Sequence, residues 1–170
     1  DSSSLMGYGT SLDYIYFPDT GMSFAGQLNY FCYGVSRWDS ETQKSYYKSP
    51  ILYNLDKLDM SNIQSMSYVL EYWYGNYNLS NWDTKNLVNI NGIAYSFDGN
   101  LDLRNWDLSN CTYIYGISDF NGGSIDFDGW NIPINKTVSN CYLINAGGTA
   151  PKAIYLPNTF YHPNTYTGTM

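Results

Sequence analysis

The residues with chemical reach are few. Two short acidic stretches, "DGNLD" (Asp98 to Asp102) and "DFDG" (Asp126 to Gly129), are rich in oxygen ligands of the kind calcium loops use, yet neither carries the full set closed by a Glu. Asp102 and Asp126 are a candidate carboxylate pair for glycoside hydrolysis. That reaction needs one carboxyl kept protonated by burial and the other ionised, a division that exposed neighbours on a sheet do not produce. His162 is the single histidine and lies in a Pro-containing tail with no Cys or Ser motif beside it, so neither a triad nor a zinc site assembles around it. Three cysteines, Cys32, Cys111 and Cys141, do not make a disulfide framework and are expected as small buried hydrophobes. The expectation is no catalytic residue, no metal ligand, no cofactor and no enzymatic activity.

Binding chemistry is better represented. Nineteen tyrosines and five tryptophans contribute to an aromatic content of 18%, too much to be all core in a chain of mean hydropathy −0.37. Together with Ser, Gly and Asn they make the vocabulary of paratopes, because aromatic rings give large contact areas at low entropy cost while small polar residues adapt. The candidate ligand-binding residues are Tyr72, Trp73 and Tyr74, then Tyr95 and Asp98, then Asp119, Phe120 and Asn121, edged by Tyr113 and Tyr115. A net charge of −7 argues against nucleic acid as a partner, since that affinity comes from Lys and Arg releasing counterions. No apolar run approaches the roughly 20 residues of a membrane span. The start at Asp1, with neither Met nor signal peptide, suggests a processed product or an excerpt of a larger chain or assembly.

A repeat must position these residues. Trp82, Trp106 and Trp130 recur every 24 residues, and one period earlier stands Leu58. Three apolar columns follow the same period: Leu55, Leu79, Leu103 and Phe127; Met66, Ile90, Ile114 and Val138; Val69, Ile93, Ile117 and Cys141. Gly75, Gly99, Gly123 and Gly147 close the copies, and Asp59, Asp83, Asp107 and Asn131 follow the Leu/Trp column. Such a period is the mark of a solenoid, in which one copy cannot bury its apolar side alone. Within a copy, "LDL" (Leu101 to Leu103) alternates as a strand does. Asp107 suits a helix or turn cap, and the three-residue spacing of Cys111, Ile114 and Ile117 predicts a 3₁₀-like or short helical turn.

The expected architecture is a solenoid of about six to seven rungs, with short parallel strands stacked through 3₁₀ or short helical turns. Residues 1–50 read as N-terminal capping rungs with an irregular insertion, 51–147 as four regular repeats, and 148–170 as a C-terminal capping rung and tail. "IYFPDT" (Ile15 to Thr20) and "IYLPNT" (Ile154 to Thr159) mark the ends, each with a Pro that stops a strand. Val35 to Asp39 reads as a further, distorted rung, and "SETQKSYYKS" (Ser40 to Ser49) as a looped-out insertion.

"LDMSN", "LSNWDTKN" and "LRNWDLSN" resemble the "LDLSNWDTSNVTNM" unit of BspA-like leucine-rich repeat surface proteins, including repeats named from mycoplasma lipoproteins, and the cap residues Asn62, Asn86 and Asn110 coincide with theirs. The resemblance implies a leucine-rich-repeat-like solenoid on an extracellular, cell or virion surface, serving adhesion and partner binding, with no shared catalytic residues. The expected function is a non-enzymatic recognition module that binds a protein or glycan on another cell or particle, of which a diversified or phage receptor-binding domain is one form. The alternative is a structural spacer or decoration domain of a surface or virion assembly, in which the aromatics only pack between rungs.

Overall fold

The structure is a computed structural model describing residues 2–3, 6–7, 12–118, 123–132, 139–145 and 152–157. Among these, regular structure is almost entirely parallel β-sheet, with one 3₁₀ turn at Leu55–Lys57 and no closed barrel. A six-stranded sheet runs Ser2–Ser3, Ser23–Asn29, Asp59–Ser67, Asn89–Tyr95, Tyr113–Ser118 and Ser139–Asn145, in chain order and all parallel. A second, four-stranded sheet runs Tyr74–Asn78, Asp98–Asp102, Ser124–Asp126 and Ala153–Tyr155, again parallel. Each regular copy therefore gives one strand to each sheet. The 24-residue period appears directly as register: Asn89 opposite Tyr113, Tyr74 opposite Asp98, and Asp102 opposite Asp126.

The repeat columns are the core between the sheets. Leu55, Leu79, Leu103 and Phe127 are buried, as are Met66, Ile90 and Ile114, in one continuous cluster extending from Phe17 to Ile132. The indoles of Trp82, Trp106 and Trp130 stack face to face at 6.0 and 5.9 Å. Each indole N–H donates to a carbonyl of the preceding copy: Trp82 to Leu55 at 3.0 Å, Trp106 to Leu79 at 2.9 Å, and Trp130 to Leu103 at 2.6 Å. The column Asp residues cap turns, as expected. Asp59 and Asp107 each accept the amide N–H two residues on at 3.0 Å. Asn86 and Asn110 donate across copies to the Ser61 and Lys85 carbonyls. Cys32 and Cys111 are buried free thiols, and burial pushes the Cys32 thiol up.

Three expectations are corrected. The segment read as a 3₁₀ or helical turn is a strand, Tyr113–Ser118. Its three-residue spacing comes from a bulge: in the equivalent Asn89–Tyr95 strand, Gly92 at φ 63 resets the alternation, so that Ile90 and Ile93 both face inward. Tyr68 at φ 52 does the same between Met66 and Val69. In the last described copy the register slips, so Cys141, and not Val138, stands opposite Ile114. Finally, Val35–Asp39 is no rung. It pairs antiparallel with Lys44–Lys48 across residues 40–43, where Gln43 takes φ 56 and its side chain donates to the Ser40 carbonyl. The period breaks here because a β-hairpin, not a loop, is inserted. Strands Tyr14–Tyr16 and Ala153–Tyr155 each end two residues before the Pro of a terminal motif, Pro18 and Pro157; Asn158 and Thr159 of the second motif lie outside the described residues. Among the described residues, no helix is long and apolar enough to cross a membrane.

Candidate functional site

The tyrosines concentrate where the six-stranded sheet turns towards the second. The left-handed backbone at Tyr30, Tyr68 and Tyr72 (φ 51, 52 and 54) interrupts the inward-outward alternation. Gly92 stands one copy after Tyr68, and a Cβ there would sit 3.0 Å from the Tyr68 ring, so the glycine provides the seat on which that ring lies. The Tyr30 ring stacks on Tyr68 at 5.3 Å. Tyr95 meets Tyr68 edge-on at 6.2 Å and Tyr72 edge-on at 5.7 Å. Four rings thus form a connected stripe over the outer end of the sheet. Tyr113 and Tyr115, half-buried, flank the inward Ile114 on its strand. Tyr74 and Asp98 stand exposed and in register at the start of the second sheet.

Trp73 is a correction. It is 1% exposed, because Tyr72 in the left-handed region swaps the phase and turns the next side chain inward. Its indole N–H donates to the Tyr77 hydroxyl at 3.2 Å, which in turn donates to the Tyr74 carbonyl. Trp73 therefore supports the surface from beneath. Asp119, Phe120 and Asn121 lie outside the described residues. Sequence reasoning did not single out Tyr30 or Tyr68; the available signal was that Tyr68 occupies the column of Gly92, a position demanding positive φ.

The other outward face, on the second sheet, is polar. Asn78 and Ser80, then Asp102 and Arg104, then Asp126 and Asp128 repeat strand by strand, each first residue accepting the amide N–H of the second. Asn78, Asp102, Arg104 and Asp126 line, with Tyr155, a shallow open depression of about 470 Å³.

Residues 40–142 match the model of a family described as "Mycoplasma protein of unknown function, DUF285". The chain belongs to the DUF285 family. No curated protein and no solved structure matches it. The family span takes in Tyr68, Tyr72, Tyr95, Tyr113 and Tyr115 but begins after Tyr30, so the stripe of this DUF285 chain is completed by a residue outside the matched region.

Electrostatics at the stripe centre on Glu71. It is 8% exposed, and its Oε2 has no hydrogen-bond partner among the described residues. Burial holds its carboxyl above the ordinary range. Burial, then the neighbouring Tyr30 and the Glu71 charge, push the Tyr68 phenol up. A carboxyl whose folded pKa is raised keeps its proton longer when folded, so stability is highest below the ordinary carboxyl range and falls as pH rises through the folded value. Glu71→Gln removes that penalty. At pH 8 it should stabilise the DUF285 chain by about 1 kcal/mol, raising Tm by roughly 2–4 °C, with the gap to the parent chain closing at pH 4. Thermal unfolding of both at the two pH values checks this, and a gap independent of pH would show that folding leaves the Glu71 carboxyl where it stands in the unfolded chain.

Proposed function

We propose that this chain is a leucine-rich-repeat-like solenoid of the BspA type, with about six to seven rungs, working as a non-enzymatic recognition or adhesion module exposed on a cell or virion surface. Its partner is a protein or glycan on another cell or particle. The observation that supports this reading is the connected outward stripe of Tyr30, Tyr68, Tyr95 and Tyr72. Rings held against one another present contact area whose rotamer entropy is already spent, which is the economy of a paratope. Membership of a mycoplasma repeat family fits a surface role.

A structural spacer is the competing reading, favoured by the same ring contacts if their only job is to brace neighbouring copies. The two separate by what Tyr95→Ala does. A recognition stripe predicts that binding of the labelled protein to fixed host cells falls at least tenfold, with Tm within a few degrees of the parent chain. A spacer predicts unchanged cell binding and a Tm loss. Tyr68→Ala and Tyr72→Ala should follow Tyr95→Ala, because hot-spot residues cluster.

A further inference from the structure

The outward face of the second sheet carries chemistry unlike that of the tyrosine stripe. We infer that it is a binding site for an extended neutral glycan laid across the strands, independent of the stripe and of whatever the stripe binds.

The first ground is a frozen row of amides. Asn76 Oδ1 accepts from both the backbone N–H and the side-chain amide of Asn100, at 3.0 and 2.7 Å. Asn100 Oδ1 accepts in the same way from the Ser124 backbone N–H and hydroxyl, at 2.8 and 2.9 Å. The polar heads are held before any ligand arrives, which removes part of the ordering cost of binding. They recur at the strand spacing of about 4.8 Å, close to the width of a pyranose ring.

The second ground is the neighbouring row, where donors and acceptors are interleaved. Arg104 grips Asp102 with two hydrogen bonds, Nε to Oδ1 at 2.9 Å and Nη2 to Oδ2 at 2.8 Å. The same Nε lies 3.6 Å from Asp126 Oδ2. A sugar hydroxyl is donor and acceptor at once, so planar amide, carboxylate and guanidinium groups side by side suit vicinal hydroxyl pairs.

The third ground is Tyr155, in register with Asp126 at the edge of the same depression and 55% exposed. A free ring face beside directional polar groups is what the apolar C–H face of a pyranose requires. Among the residues lining the depression the cation is Arg104, already held between two carboxylates in a chain of net charge −7, so the lining offers no spare cation to a sulfated or carboxylated polymer. A peptide strand has no foothold either, because β-augmentation needs an unpaired sheet edge and this is a sheet face. Since polar hydrogen-bonding groups recur on successive strands, Asn76, Asn100 and Ser124 in one row and Asn78, Asp102 and Asp126 in the next, polar subsites repeat, and affinity should grow with oligosaccharide length.

The test is calorimetric and NMR titration of the whole chain with mannohexaose, cellohexaose and chitohexaose, with a heparin hexasaccharide as the anionic probe. At least one neutral hexasaccharide should bind with a Kd on the order of 1 mM or tighter. Its disaccharide should bind at least tenfold more weakly. Asn100→Ala and Tyr155→Ala should each cost tenfold or more, and Tyr95→Ala on the stripe nothing. Tyr155 is an exposed edge residue, so its variant reports on binding even if Asn100→Ala disturbs the fold. The inference is overturned if no neutral hexasaccharide binds, if only heparin binds, or if binding survives Tyr155→Ala and is lost with Tyr95→Ala.

Discussion

Gly99→Ala should cost at least ~3 kcal/mol of stability, while Gly26→Ala should cost only ~1–2 kcal/mol. Both glycines have positive φ, 135° at Gly99 and 82° at Gly26, so both replacements carry conformational strain. They differ in what a methyl group would meet. At Gly26 nothing lies within 4 Å, whereas at Gly99 the added Cβ would stand 1.9 Å from the Gly75 carbonyl oxygen. That oxygen belongs to the backbone of the preceding copy in the second sheet, which cannot move away without breaking the pairing from Tyr74–Asp98 to Asn78–Asp102. Gly123→Ala should match Gly99→Ala, its Cβ meeting the Gly99 oxygen at 1.8 Å. Gly75→Ala should fall between the extremes, because its nearest neighbour is the Tyr77 hydroxyl at 2.9 Å, the end of a side chain. Urea unfolding of the four variants measures the order directly. Equal losses at Gly26 and Gly99 would mean that conformational strain alone sets the cost and that the copies do not close against one another through these glycines.

This contrast also shows what could be read without coordinates. The column glycines and tryptophans were legible because each does a job few other residues can do: close backbone approach in one case, a stacked ring with a donor in the other. The column aspartates were legible for the same reason, since a carboxylate two residues before an amide makes a turn wherever it occurs. The bulges were not. An inward side chain every third residue arises equally from a helical turn and from a strand whose alternation is reset once, and nothing in Tyr68 or Tyr72 announces a left-handed backbone, which Asn, Asp and Gly adopt far more readily. Missing the reset at Tyr72 misplaced the residue that follows it. Trp73 was therefore assigned outward with Tyr74, although the structure turns the first in and the second out. The hairpin at Val35–Asp39 and Lys44–Lys48 was hidden by an accidental match to the Trp-Asp spacing, a local pattern that carries no information about which strand it faces. The stripe was half legible: Tyr72 and Tyr95 stood among the aromatic candidates, but Tyr30 and Tyr68 joined it through backbone geometry.

Trp106 is the other position where a single change should be severe. Its ring is stacked between Trp82 and Trp130, fully buried, and its N–H donates to the Leu79 carbonyl. Trp106→Ala should lose ~3–5 kcal/mol, the range for emptying a buried aromatic site. Trp106→Phe keeps a ring in the stack and forfeits the hydrogen bond, so about 1–2 kcal/mol is expected; the Leu79 carbonyl still accepts from the Trp82 backbone N–H, which keeps the figure low. Double-mutant cycles carry the point further. In a stack of copies each touching only its neighbours, stability is a sum of intrinsic and nearest-neighbour contributions. Trp82 and Trp106, 6.0 Å apart, should therefore couple by ~0.5–3 kcal/mol, whereas Trp82 and Trp130, separated by a whole copy, should be additive within ~0.5 kcal/mol. Strong coupling between the distant pair would mean that the tryptophans share one cooperative core, and the one-dimensional solenoid would have to be given up for a globular reading of the same parallel sheets.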